Sequence, residues 1–137
     1  MRYLFDTDTC ISLLDSREPD KQQNILRRLD KLQQSDIAVS SITVSELMFG
    51  AENGLRRKAN LEALETFLLD FQVLSFDFAA AREAGAVRAT LEKAGARIGA
   101  MDTLIAAHAK AMGLTVVTNN VAHFGKVRGL KVENWSV

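Results

Sequence analysis

The chain of 137 residues has one cysteine, one proline and no excess of charge of either sign. A lone Cys10 excludes an intramolecular disulfide and any zinc site built from several cysteines. With Pro19 as the only proline, and with no internal repeat or low-complexity stretch, no linker is evident, and residues 1–137 read as one domain. No apolar run is long enough to span a membrane and no basic-then-apolar leader is present, so a soluble, cytoplasmic protein is expected. Lys plus Arg number 17, as do Asp plus Glu, which argues against a uniformly basic nucleic-acid coat. The balance still permits a basic rim around an acidic pocket, because net charge averages over the surface. What the chain does have is apolar material: 47% hydrophobic residues against 25% charged ones argues for a packed core rather than disorder.

The apolar residues fall into short runs separated by helical stripes. Arg2 to Phe5 reads as a buried strand ending at Asp6, and Thr9 to Leu14 as a short helix. Pro19 suits a helix start, with Ile25, Leu29 and Leu32 along one face. Asp36 to Ser40 reads as a second strand, followed by a helical stripe of Val44, Leu47, Met48 and Ala51 closed by Gly54. Leu61, Leu64, Leu68 and Phe71 mark another helix, and Val73 to Ser75 a third strand. Asp77 is placed to cap a long helix carrying Ala80, Ala84, Val87 and Leu91 on one side. Met101 to Met112 reads as a helix stopped by Gly113, Leu114 to Val117 as a β-branched strand, and Leu130 to Val132 as a last strand. Strands alternating with helices predict an α/β fold with a central parallel β-sheet and helices on both faces.

In such sheets ligands bind outside the carboxyl ends of the strands. Asp6 to Thr9 follow the first strand, Ser41 to Glu46 the second, and Thr118 to Asn120 the β-branched strand; Asp102 opens the helix before that strand. A parallel sheet brings Asp6, Glu46 and Asn120 to one end, with Asp102 within reach. Clustered carboxylates stay ionised at short range only beside a cation. Oxygen donors without Cys or His select a hard ion, Mg²⁺ or Mn²⁺, suited to phosphodiester hydrolysis.

Taken singly, these residues have plainer readings. Thr43-x-x-Glu46 matches a capping box. Asp102 in a first turn complements the helix dipole, and Asn119 and Asn120 are common turn residues. Asp8 is expected as N-cap of the helix after it. Asp6 is harder to explain this way, because burying a carboxylate uncompensated is costly. His108 reads as a packed histidine, His123 as a solvated loop histidine, and Cys10 as a buried structural thiol. Arg56-Arg57-Lys58 is either a solvated helix face or a phosphate-binding rim.

Taken together, the blocks Tyr3 to Cys10, Ser40 to Ala51, Gly99 to Ala109, Val116 to Phe124 and Gly129 to Trp135 resemble PIN-domain ribonucleases of the VapC toxin type, in order along essentially the whole chain. The resemblance implies a single PIN-like domain and a Mg²⁺- or Mn²⁺-dependent endoribonuclease. Asp6, Glu46 and Asp102 match the acidic metal positions. Thr43 and Thr118 match supporting hydroxyls, and Asn120 stands where a fourth acid or an Asn occurs, completing a candidate catalytic set of Asp6, Glu46, Asp102 and Asn120. The resemblance further implies a homodimer, a VapB-type antitoxin as partner, RNA as substrate and inhibition of translation. The C-terminal stretch is most similar to the enteric-plasmid VapC subgroup, which cuts initiator tRNA in the anticodon loop.

Three features depart from that pattern. Asp8 stands where Asn is commoner and adds charge beside Asp6. Gly95 to Gly99 lacks a proline often found there, and His123-Phe124 replaces a common acidic-Phe pair. Arg56, Arg57, Lys58 and Arg97 are candidate RNA contacts. Two other readings compete: a haloacid-dehalogenase-like phosphatase with Asp6 as nucleophile in Asp6-Thr7-Asp8-Thr9, and a non-catalytic module that binds partners at an acidic pocket. If acids gather at one edge, the basic residues are left in excess elsewhere. RNA binding should then weaken as salt rises, measured as the slope of log affinity against log salt; a flat slope would contradict this charge separation.

Overall fold

Leu4 and Phe5 are both fully buried, yet they belong to separate cores, because successive side chains of a strand point to opposite faces. In the computed structural model, which describes residues 1–15 and 17–137, they lie in β1 (Tyr3–Phe5), the middle of a five-stranded parallel sheet. The other strands are β2 (Ile37–Ser40), β3 (Gln72–Leu74), β4 (Thr115–Val117) and β5 (Val132–Glu133). Their order is β3-β2-β1-β4-β5, with Phe5 level with Val39 on one side and Val117 on the other. The expected α/β architecture, a central parallel sheet, is thus present.

The helices are α1 (Thr7–Leu14), α2 (Pro19–Leu29), α3 (Ser41–Glu52), α4 (Arg57–Leu68), α5 (Phe78–Lys93), α6 (Ala100–Met112) and α7 (Val121–Phe124). On one side of the sheet Leu4, Ala38 and Val116 pack with Ala84, Val87 and Leu91 of α5 and Ile105, Ala106 and Ala109 of α6. On the other, Phe5, Val39 and Val117 pack with Cys10, Ile25, Leu47 and Leu64, drawn from α1 to α4. Trp135 closes this second core, its ring edge-on to Phe5 at 5.3 Å and to Tyr3 at 4.8 Å. No helix among the described residues is long and apolar enough to cross a membrane.

Several boundaries differ from the sequence expectation for local reasons. The first helix starts at Thr7 rather than Thr9, because Asp6 and not Asp8 is its N-cap. The second stops at Leu29, and the fourth at Leu68, although Leu32 and Phe71 beyond them still pack on the second core. The last strand is Val132–Glu133 and follows a turn at Gly129, whose φ of 83° favours glycine. Helix α7 was not anticipated: four residues carry no period to read.

The chain winds from β1 outward to β2 and β3, then returns to place β4 on the other side of β1. The carboxyl ends of β1 and β4 therefore flank the point where the winding reverses, the crevice where open α/β sheets bind ligands. Leu4→Ala should cost about 2–5 kcal/mol of stability, since it hollows a site with no exposed surface. Phe49→Ala, at a side chain 71% exposed, should cost under about 0.5 kcal/mol. Denaturant melts check both; equal losses would contradict the two-core packing.

Candidate metal centre at the sheet switch point

Asp6 is the first residue past β1. Its backbone N–H still donates to the Val117 carbonyl at 3.1 Å, so it is tied to β4 as the chain turns into α1. Its side chain then caps that helix, Oδ1 accepting from the Thr9 N–H at 2.8 Å. The other oxygen, Oδ2, accepts from the Thr118 hydroxyl at 2.6 Å across the crevice. Thr118 Oγ1 in turn accepts the Asn120 N–H at 2.9 Å, and the Thr9 hydroxyl donates to Val117 O at 2.9 Å. Asp6 is 2% exposed. Burial raises its pKa to about 6; the hydrogen bonds from Thr118 and Thr9 pull it down, and the charge of Asp8 adds a smaller upward push.

Asp8 is not the cap. It is exposed in the first turn of α1, where its charge complements the helix dipole and acts on both Asp6 and Asp102. Nor is Thr43-x-x-Glu46 a capping box, since α3 begins earlier: Ser40 is its N-cap, accepting from the Ile42 N–H at 3.1 Å. Thr43 and Glu46 lie inside the helix. Glu46 Oε1 accepts from the Thr7 hydroxyl at 2.6 Å, and Thr7 Oγ1 stands 3.3 Å from Thr43 Oγ1. Thr7 thus ties the Glu46 carboxylate to the end of β1, a role the sequence reading missed.

Asp102 is half-buried in the first turn of α6. Burial raises its pKa, Asp8 and Glu46 push the same way, and His123 opposes them. The loop before it turns on Gly95 at φ 65° and Gly99 at φ 93°, both in the region glycine favours. Buried Ile98 anchors this segment, and the Thr103 hydroxyl donates to Gly99 O at 2.6 Å, so the loop is held without a proline.

Asn120 caps α7, its Oδ1 accepting from the His123 N–H at 3.3 Å. Its carboxamide oxygen is thereby engaged in shaping the helix that carries His123. His123 is not a solvated loop residue. It is partly buried in α7, with Nδ1 3.1 Å from Asp102 Oδ2. Its position was out of reach of sequence reasoning, because the partner lies on a separate helix. Asn119 Nδ2 donates to Ser12 Oγ at 2.8 Å, while Asn119 Oδ1 and His123 Nδ1 are buried without a hydrogen-bond partner.

Hydrogen bonds join Asp6 to Thr118 and, through it, to Asn120, and Glu46 to Thr7 beside Thr43, while Asp102 meets His123 and feels the charges of Asp8 and Glu46. Among the described residues no three His, Cys, Asp or Glu side chains already stand close enough to hold an ion. The donor set nevertheless suits a divalent cation: acids held up in pKa by lost hydration, with an orphaned ring nitrogen beside one of them. Each of these features is relieved by positive charge.

The other candidates lie apart from this chemistry. His108 is buried with Nδ1 2.8 Å from Ser40 Oγ, and burial lowers its pKa. Cys10 is fully buried, and burial followed by the charge of Asp6 holds its thiol far above the usual range, so it is inert. Arg57 pairs with Glu52 through Nη2 at 3.1 Å, and Arg97 lies 4.0 Å from Glu92, so both expected RNA contacts already have acidic neighbours. Arg56 and Lys58 are exposed at the start of α4. A hollow of about 640 Å³ beside Asp8 is bordered by Asn119 and Asn120 and by Arg17 and Lys21, which are paired with Asp15 and Glu18.

The state of Asp6 has a consequence for metal-free protein. Its carboxyl takes up a proton more readily folded than unfolded, so between the ordinary 3.8 and about 6 the folded chain binds more protons. Stability is therefore lost as pH rises through that window, by about 3 kcal/mol at most. Asp6→Asn should stabilise the metal-free protein at pH 7.5 and have little effect at pH 4. Thermal melts at the two pH values check this; destabilisation at pH 7.5 as large as at pH 4 would contradict it.

The PIN domain family matches residues 3–130. The tRNA(fMet)-specific endonuclease VapC of Salmonella typhimurium is 38% identical over 135 residues, covering 98% of each chain. The Shigella flexneri protein of the same name is 37% identical, covering 99% of each. Among solved structures, DNA-bound VapBC from Salmonella typhimurium superposes with a TM-score of 0.89 at 37% identity, covering 98% of each chain. VapBC2 from Rickettsia felis bound to a promoter DNA fragment gives 0.86 at 34% identity, covering 98% of this chain and 99% of that one. These end-to-end matches displace the phosphatase reading. The chain belongs to the PIN-domain family and, within it, to the VapC group.

Proposed function

We propose that this chain is the ribonuclease toxin of a VapBC-type toxin–antitoxin pair, cutting tRNA with the help of Mg²⁺ or Mn²⁺ and so inhibiting translation. The observation that carries the metal-dependent chemistry is the Asp6 carboxylate, buried at the switch point and raised to about 6, with a second desolvated acid, Asp102, at the same edge. Asp6 and Asp102 are the principal ligands and Glu46 completes the set. A divalent cation held by them would supply Lewis acidity for phosphodiester hydrolysis.

The remaining steps belong to the chain's own groups. Thr118 and the Thr9 N–H hold the Asp6 carboxylate in place, and Thr7 restrains that of Glu46. Thr118 also receives the Asn120 N–H, which couples the start of the 120–124 segment to the Asp6 carboxylate. Asp8 adds negative charge at the mouth and strengthens the demand for a cation there. Arg56 and Lys58, exposed at the start of α4, contact the RNA backbone.

The names of the relatives support this reading: VapC endonucleases specific for tRNA(fMet), and toxins solved in complex with their VapB partners. Carried over to this chain, they make initiator tRNA the substrate, the anticodon loop the cut, and a VapB-type antitoxin the inhibitor. A homodimer, a cytoplasmic location and one domain over residues 1–137 complete the proposal.

Incubation with total tRNA tests it. Discrete fragments should appear with Mg²⁺ or Mn²⁺, vanish with chelator, and map to the anticodon loop of initiator tRNA. Asp6→Ala and Asp102→Ala should each lose at least about a hundredfold in rate while keeping the fold by circular dichroism. Full-rate cleavage in chelator would refute the metal role, and no cleavage of any RNA would favour a binding module.

A further inference from the structure

We propose that His123 is itself a ligand of the divalent cation, donating Nδ1 beside the Asp102 carboxylate and tilting the site from Mg²⁺ towards Mn²⁺ and similar transition ions. The inference rests on the metal-dependent reading above and adds a nitrogen to a donor set that the sequence presented as oxygen alone.

Nδ1 of His123 is buried 3.1 Å from Asp102 Oδ2, at ion-pair distance but without a well-aligned hydrogen bond. The two atoms are close enough to bond but are not aligned for it. Misaligned proximity is what two ligands of one ion show. Donors about 2.1 Å from a common ion and at right angles to each other lie about 3.0 Å apart. A cation between them would satisfy both lone pairs at once.

The ring is also held in place. Phe124, 1% exposed, anchors α7 in the first core, and its ring stands edge-on to the His123 imidazole with centroids 6.1 Å apart. Asn120 Oδ1 accepts the His123 backbone N–H and fixes the start of the helix. Imidazole nitrogen favours transition ions, whereas Mg²⁺ keeps to oxygen and water. The chain has two histidines, and the other, His108, is committed to Ser40, so a nitrogen signal from bound metal can be assigned.

Pulsed electron paramagnetic resonance of the Mn²⁺-loaded full chain at one fixed pH reads the ligand directly. The parent should show coupling to ¹⁴N that disappears in His123→Gln. In calorimetric titrations His123→Gln should lose about tenfold or more in Mn²⁺ affinity while Mg²⁺ affinity changes less than about threefold. Mn²⁺ bound by the parent without ¹⁴N coupling, or coupling that His123→Gln leaves in place, would overturn the assignment and leave the metal reading intact. Failure of the parent to bind either ion, or binding unaffected by Asp102→Asn, would overturn both. The parent spectrum decides even if the variant folds poorly.

Discussion

Asp6 places a carboxylate at the end of a strand that is covered on both faces. Everything around it can be understood as the means of keeping it there. The strand must be buried, because Leu4 and Phe5 join two separate cores. The residue that follows is then drawn out of water whatever its type. The chain offsets part of that cost by spending both carboxylate oxygens on hydrogen bonds, one to the start of α1 and one to Thr118. The compensation is incomplete, and the pKa of about 6 measures the remainder. A fold that only needed a helix cap could have used serine, as it does at Ser40 for α3. An acid at the same kind of position holds negative charge ready for a positive partner.

The other acids extend the same logic. Asp102 is held up by burial and by the fields of Asp8 and Glu46, and Glu46 is restrained by Thr7. The sheet order lets residues distant in sequence share one crevice, since β1 and β4 are neighbours with the winding reversed between them. The composition then takes on a different meaning. A chain of zero net charge can serve a polyanionic substrate if its acids collect where a cation neutralises them and its bases remain for phosphate.

Much of this was legible in the sequence, for physical reasons. Short runs such as Leu4-Phe5 and Val116-Val117 can only be covered strands, and their alternation with helical stripes fixes a parallel sheet. From that, the carboxyl-end rule points to Asp6, Glu46 and Asn120, with Asp102 within reach from the start of its helix. What stayed hidden depended on partners far along the chain. Asp8 reads locally as the cap of α1, and local preference does not reveal that Asp6, at the buried strand end, takes that role instead. Glu46 three residues after Thr43 imitates a capping box, and only the start of α3 at Ser41, with Ser40 as its cap, rules that out. His123 looked like a loop residue because α7 has four residues and its contact, Asp102, lies on α6.

The central claim is that the acids at the switch point are the seat of a divalent cation. Diffraction from crystals soaked in Mn²⁺, recorded near its absorption edge, tests it most directly. The account predicts an anomalous peak within about 2.3 Å of carboxylate oxygens of both Asp6 and Asp102. A peak only elsewhere, or none at a concentration that supports cleavage, would contradict it.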